Sequence, residues 1–410
     1  MKIGIIGGGA AGMMAAVTAA RAGAQVAIIE KNDRIGKKIL VTGNGKCNLS
    51  NLSFSDSCYY SKEKEKAWQL LSRFTPQDTI DFFEGIGLCI KEKNGYLYPA
   101  CEQASAVLDV FRYEIAARGI EVICGENAEN IRLVKGRDGY EVLCGKNKYY
   151  FDKLIVTCGG QASPKTGSDG AGYRLLKELG LSIVRPVPAL VQLRCKGNYF
   201  KALAGIRCEA VLDLYLDEKK VSREQGELQM TDYGISGIPV FQFSRRAAYA
   251  LAAGQKTEVI IDLLPNLKPT EVKRWLKQRL SLLHGRTAEE FLTGTLHKKW
   301  ILFFLKEQGI KGSDGCESIP AEKWNAVINA MKNFRVAVTD TNSFQNAQVC
   351  AGGVSLREVD ENLESLKYRG LFIAGELLDV DGRCGGYNLQ WAWCSGYLAA
   401  REAAKQTLYE

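Results

Sequence analysis

Near its amino end the chain reads Gly7-Gly8-Gly9-Ala10-Ala11-Gly12, directly after the apolar run KIGII at residues 2–6. Eighteen residues beyond Gly12, the carboxylate of Glu30 ends a second apolar run, QVAIIE. Glycines at this spacing have separate physical jobs. Gly7 permits a tight turn, Gly9 lets backbone approach a pyrophosphate, and Gly12 allows a helix to pack closely on a strand. Ala10 and Ala11 open that helix, whose unpaired N–H groups and positive dipole end suit an anion. A carboxylate at the end of the second strand accepts hydrogen bonds from ribose hydroxyls and disfavours a 2′-phosphate, so the expected ligand is FAD or NAD rather than NADP.

The elements that must position these groups can be read from periodicity. Residues 2–6, 10–22 and 25–30 form a β-α-β unit. Helical spacing recurs over 66–87 and 103–118, the latter ending at Gly119 ahead of IEVICG, which reads as a buried parallel strand. Residues 131–160 read as short strands joined by turns at Arg137-Asp138-Gly139 and Gly145-Lys146-Asn147, and KLIVTCGG closes them as a central strand. The segment 157–172 is glycine-rich but lacks a second G-x-G-x-x-G; Cys158-Gly159-Gly160 is expected to end a strand beside the first turn and leave space for the dinucleotide.

The pattern changes after Pro186 and Pro188 to alternating, strand-rich sequence. The expected fold is α/β, a Rossmann-like dinucleotide-binding domain, whose opening unit with Glu30 resembles glutathione-reductase-type FAD-binding domains, with an inserted β-rich, barrel-like domain and a helical subdomain. The expected boundaries are 1–190 and 334–410 for the two parts of the FAD-binding domain, 191–268 for the barrel and 269–333 for the helices.

Composition narrows the function. The chain has 410 residues, 46% apolar and 24% charged, as folded domains do. Its longest apolar patch, WILFFL at 300–305, is flanked by lysines, which argues against a membrane partner. Its formal charge of +8 is spread along the chain, so a nucleic-acid partner is not expected. The thirteen cysteines are scattered without a C-x-x-C pair and read as free thiols, and the two histidines, His284 and His297, lack metal-site spacing, so no metal is expected. With a strand beginning at Lys2 there is no room for a leader, and a cytoplasmic location is expected. Oligomeric state is not encoded in any of these features.

Several separated motifs carry a family resemblance: the opening unit with Glu30, VTGNGKCNLSN (41–51), YLYPACEQASAVLDV (96–110), GELQMTDYGISGIPVFQFSR (226–245), QVCAGGV (348–354) and GELLDVDGRCGGYNLQWAWCSG (375–396). Together they resemble the HI0933-like (YhiN-like) flavoproteins almost end to end. The resemblance implies an FAD-dependent oxidoreductase acting on a small molecule. It leaves open a reductase of a conjugated carbonyl-type substrate driven by NADH or NADPH, an oxygen-using amine oxidase of the aminoacetone type, and a tRNA-acting or non-catalytic flavin protein.

The resemblance also implies where the flavin half of FAD sits. Gly375-Glu376 ends a strand where a carboxylate could bind ribityl hydroxyls, and Gly385-Gly386-Tyr387-Asn388 can start a helix whose N–H groups face the flavin O2 and N1 region. Thr42, Gly43, Asn44, Gly45, Lys46, Cys47 and Asn48 would border the cofactor, with Lys46, in place of the family's frequent arginine, as a point charge near pyrophosphate. Cys47 reads as packing rather than redox chemistry. Lys31 and Lys38 complete the implied set, with Ala128 as a backbone contact to adenine. Tyr233, Ile235, Ser236, Tyr387, Trp391 and Trp393 are candidates for an apolar substrate wall, although each aromatic is more readily a core residue. No residue stands out as a general acid or base.

Overall fold

The computed structural model describes residues 1–134 and 138–405. The chain divides into two compact units, Met1–Pro188 with Phe344–Glu410, and Ala189–Ser343. The proposed turn at Arg137 falls partly outside the described residues.

The first unit is built on five parallel strands: β1 (Lys2–Ile6), β2 (Gln25–Glu30), β3 (Glu121–Cys124), β4 (Lys153–Val156) and β5 (Leu371–Ile373), in the order β5-β4-β1-β2-β3. β1, β4 and β5 are almost continuously apolar because both faces of the sheet are covered. β3 departs from the sequence reading: at the sheet edge, its residues are only half-buried or exposed. Helix α1 (Ala10–Arg21) covers one face with a run of small residues, and the long last helix, α2 (Tyr387–Ala403), crosses it. Gly396 makes that crossing close, since a Cβ there would lie 2.4 Å from the Ala11 carbonyl oxygen. The expected helical stretch 66–87 is two helices, Lys64–Leu71 and Pro76–Glu84, because Thr75 and Asp78 form a capping box that starts a new helix.

The second unit holds a closed six-stranded barrel, Leu193–Cys195, Gly234–Ser236, Lys219–Met230, Arg207–Leu216, Thr257–Asp262 and Phe334–Thr341 in spatial order. The last of these corrects the boundary drawn at 334: Phe334–Thr341 completes the barrel, and the first unit resumes at Phe344. The barrel and the helices after 269 share one apolar core, including Phe291, Trp300, Trp324 and Val336, so the two inserted pieces form one unit. A helix at Ile238–Ala252, within the span read as β-rich, also packs into that core through Val240, Phe243 and Ala247.

Candidate dinucleotide site

All five parallel strands end on the same edge, where α/β sheets bind ligands. Gly7 follows β1 with φ +104°, and its N–H donates to the Ile29 carbonyl at 2.8 Å. A Cβ on Gly12 would stand 1.9 Å from the Gly7 carbonyl oxygen, so only glycine lets α1 start this near the strand. A Cβ on Gly9, by contrast, would meet nothing within 4 Å. Gly9 caps α1 without a side-chain bond, and no acidic residue occupies the first turn, so no side chain of the cap satisfies the first N–H groups beside Ala10 and Ala11.

Glu30 is 7% exposed and held by N–H donors: Gly8 N to one oxygen at 2.8 Å, and Asn32 N and Nδ2 to the other at 2.8 and 2.7 Å. This fixes the carboxylate beside the glycine turn. Glu126 N donates to the Glu30 carbonyl at 3.1 Å, which brings the stretch carrying buried Ala128 alongside. Lys31 turns to Asp169 at 2.8 Å.

The carboxyl-terminal residues reach the same edge. Gly375, just past β5, has φ +77°, and a Cβ on it would lie 2.9 Å from the Ala11 Cβ. α2 clamps this glycine: Gly375 N donates to Ser395 Oγ at 2.9 Å, and Trp391 Nε1 donates to the Gly375 carbonyl at 3.0 Å. Lys38 Nζ binds one oxygen of Glu376 at 2.7 Å while Cys350 N donates to the other at 2.7 Å. The glycine turn, Glu30, Lys38, Gly375 and Glu376 are thus gathered by α1, α2 and the strand ends.

Other expected residues play different parts. The glycines after Cys158 make room for protein: a Cβ on Gly159 would lie 2.8 Å from Ser168 Oγ, and one on Gly160 2.9 Å from Cys350 Sγ. Lys46 does not stand free as a phosphate charge; it pairs with Glu102 at 2.6 Å, which Lys91 also binds at 2.5 Å. Asn388 folds back on its own loop, donating to the Gly382 carbonyl and accepting from Gly382 N. Tyr387, Trp391 and Trp393 are buried in the core rather than lining a wall, and the Trp393 indole donates to the Leu49 carbonyl at 3.0 Å. In the second unit Ile235 and Ser236 are buried in a barrel strand, and Tyr233 accepts from Asn342 Nδ2 at 2.8 Å. His297 caps a helix and His284 meets Glu317 at 3.2 Å, both as structural groups.

The loop Thr42–Asn48 has left-handed residues at Gly43, Asn44, Gly45 and Cys47. Thr42 Oγ1 donates to the Ile39 carbonyl at 2.6 Å. The Cys47 thiol is fully buried and pushed up to about 12 by that burial, so it stays protonated. Asn48 Oδ1 is buried without a hydrogen-bond partner among the described residues, and it faces Gly386. Gly386 begins α2 with φ +96°, again with no side-chain cap.

Sequence reasoning passed over Gly8, Ser395, Asn51 and Tyr96. Asn51 Nδ2 donates to the Gly385 carbonyl at 3.0 Å, and the Tyr96 ring would be 3.0 Å from a Cβ on Gly385. Asn51 and Tyr96 lie in the quoted motifs NLSN and YLYP, which were the available signal. Gly8 acts through its backbone N–H and Ser395 through its hydroxyl, which accepts from Gly375 N; both lie within quoted motifs, but neither residue type announces that partner.

The residues present fit a flavin dinucleotide. Open space over Gly9, uncapped N–H groups at two helix starts, a fixed carboxylate at Glu30 and an orphaned acceptor at Asn48 are complementary to a long ligand with a diphosphate and polar ends. A family model, the HI0933-like protein Rossmann domain, matches residues 1–402. The chain is 42% identical over 408 residues to a 3-dehydro-bile acid delta(4,6)-reductase of Clostridium scindens, spanning 99% of both chains. It is 28% identical over 410 residues to a ribosomal RNA dihydrouridine synthase of Haemophilus influenzae, spanning 98% of both. Among solved structures, 3-ketosteroid delta1-dehydrogenase of Sterolibacterium denitrificans superposes with a TM-score of 0.51 at 12% identity, over 98% of this chain and 99% of that one, a likeness of fold. The chain belongs to the HI0933-like family and is an FAD-dependent oxidoreductase.

Proposed function

We propose that this protein reduces a carbon–carbon double bond conjugated to a carbonyl in a small molecule, with NADH or NADPH as the electron donor. The observation that carries this reading is the end-to-end identity with the delta(4,6)-reductase, whose named reaction is of that type. The dihydrouridine synthases support the same chemistry, since dihydrouridine is uridine with its carbonyl-conjugated ring double bond saturated.

When bound, FAD supplies hydride transfer, taking two electrons from one molecule and delivering them to another. The chain's own residues bind and orient. Backbone N–H groups of Gly9–Gly12 at the start of α1 meet the diphosphate, and Glu30 accepts from ribose hydroxyls. Glu376, steadied by Lys38, offers its remaining lone pairs to the ribityl chain. The N–H groups at the start of α2 stabilise negative charge at the far end of the ligand. Lys31, Thr42–Cys47, Ala128 and Cys158–Gly160 border this path, and Lys46 and Asn388 stabilise the loops through their protein partners.

The test is anaerobic rapid mixing of the yellow protein with NADH, NADPH and an amine in turn. Fast bleaching by a reduced nicotinamide followed by reoxidation with a conjugated enone supports the reading. Bleaching by the amine alone replaces it with an oxidase. A second reading, an RNA uridine as the substrate, is favoured by the synthase relatives. Binding of ribosomal RNA that weakens steeply with salt would support it.

A further inference from the structure

We propose that Arg194 and Tyr233 recognise a carboxylate on the small-molecule substrate, an assignment that rests on the reductase reading above. Both residues belong to the barrel unit. The short strand Leu193–Cys195 pairs with Gly234–Ser236 on one side and with Phe334–Thr341 on the other. Tyr233, just before the first partner, and Asn342, just after the second, are thereby brought alongside Arg194. A Cβ on Gly234 would lie 2.1 Å from the Leu193 carbonyl oxygen, so glycine permits this close pairing, and Cys195 N donates to the Tyr233 carbonyl at 2.9 Å.

Counting donors and acceptors shows what is left over. Asn342 is 7% exposed and joins the group: its Nδ2 donates to Tyr233 Oη at 2.8 Å and to Gln192 Oε1 at 3.3 Å, and its Oδ1 accepts from Arg194 Nη1 at 3.4 Å. The guanidinium carbon of Arg194 lies 5.2 Å from the centre of the Tyr233 ring, a cation–π contact that orients the fork. Because Tyr233 Oη accepts from Asn342, its own hydrogen points elsewhere, and it meets no acceptor among the described residues. Arg194 pairs with no carboxylate among the described residues either; Asp340, opposite it in the sheet, accepts from Thr341 N at 2.7 Å, and the exposed Asp232 beside Tyr233 makes no bond to the guanidinium. Arg194 is exposed and Tyr233 half-buried, so both unused donors are open to a solute. A planar cationic fork beside a phenol O–H, with the nearby amide already engaged, is complementary to a planar group that only accepts and carries one negative charge. A carboxylate is that group.

The probes are β-acetylacrylate, a conjugated enone that carries a carboxylate, and its uncharged methyl ester, each given to the FAD-loaded enzyme with reduced nicotinamide. The acid-to-ester ratio of kcat/KM should fall by about tenfold in Arg194→Gln and by about threefold in Tyr233→Phe, mainly through KM, the scale of charge-assisted hydrogen bonds. Arg194→Lys, which keeps the charge and loses the fork, should fall between the natural chain and Arg194→Gln. Calorimetric titration with the acid alone should show binding to the natural holoenzyme that is lost in Arg194→Gln. A ratio that stays within about twofold of the natural value in Arg194→Gln overturns the assignment, while turnover of both probes leaves the reductase reading intact. If neither probe is reduced, the reductase reading fails, and calorimetry alone then decides whether the donors hold a carboxylate. Uridine 5′-monophosphate binding more tightly than the acid, and through Arg194, would give these donors to a phosphate and also overturn the assignment.

Discussion

Replacing Glu30 by alanine is the sharpest perturbation of the nucleotide half of the site. The carboxylate accepts from Gly8 N, Asn32 N and Asn32 Nδ2 at 2.7–2.8 Å in a nearly buried setting. Removing it strands these donors, each worth about 1–3 kcal/mol where water cannot reach. Asn32 is half-buried and its two donors can turn to water, so the folded apoprotein should lose mainly the cost of stranding the buried Gly8 N–H, about 1–3 kcal/mol, read from urea unfolding. Ribose hydroxyls bonded to a charged acceptor contribute about 1.5–3 kcal/mol each, so losing two of them weakens FAD by at least about 3 kcal/mol, or a hundredfold in Kd. The assay is a fluorescence-quenching titration of apoprotein shown by circular dichroism to be folded. Glu30→Gln, which keeps one acceptor, should fall between the two. A Glu30→Ala protein that binds FAD within about threefold of the natural chain would refute the ribose assignment, whatever happens to its stability.

Gly12→Ala puts a Cβ 1.9 Å from the Gly7 carbonyl oxygen, so α1 must shift; this should cost about 1–3 kcal/mol or more and abolish FAD retention, checked by denaturation and by absorbance. Cys47, buried with its thiol pushed up to about 12, should escape iodoacetamide at pH 8 while exposed Cys89, Cys101 and Cys124 are labelled, as mass mapping would reveal. Burial also pushes Cys350 up to about 12, from an ordinary 9.0. Because both thiols titrate higher in the folded chain, their contribution is whole below pH 9.0 and is lost as pH rises toward 12. Each removes about 1.4 kcal/mol per pH unit over that window, so Tm should fall from pH 9 to 11, and a Cys47→Ala, Cys350→Ala pair should make that fall shallower, while Cys158 and Cys195, also pushed up to about 12 by burial, keep part of it.

The placement of the glycine turn and of Glu30 beside it was legible because it is local. Gly7 to Gly12 and Glu30 lie within one β-α-β unit, and a strand-turn-helix pattern places them without knowledge of the rest of the fold. The pairing of Lys38 with Glu376 joins positions 338 residues apart, and no local pattern announces it. The same holds for Ser395 and Trp391 gripping Gly375. At Gly159 and Gly160 the sequence does not show the packing reason for glycine, which is the close approach of Ser168 Oγ and Cys350 Sγ. For the aromatics the core reading was the readier one from sequence, and Trp391 and Trp393 bear it out by combining full burial with satisfied indole N–H groups. The boundary at 334 failed because a barrel closes with its last strand, and Phe334–Thr341 returns after the helices to complete it.

The most direct test of the whole account is an equilibrium titration of apoprotein with FAD, scored by the absorbance of the separated protein. One FAD per chain should bind and leave the protein yellow, with ADP and FMN each competing because they occupy opposite halves of one site. A protein that stays colourless at saturating FAD, or that binds FAD without competition from ADP, would contradict it.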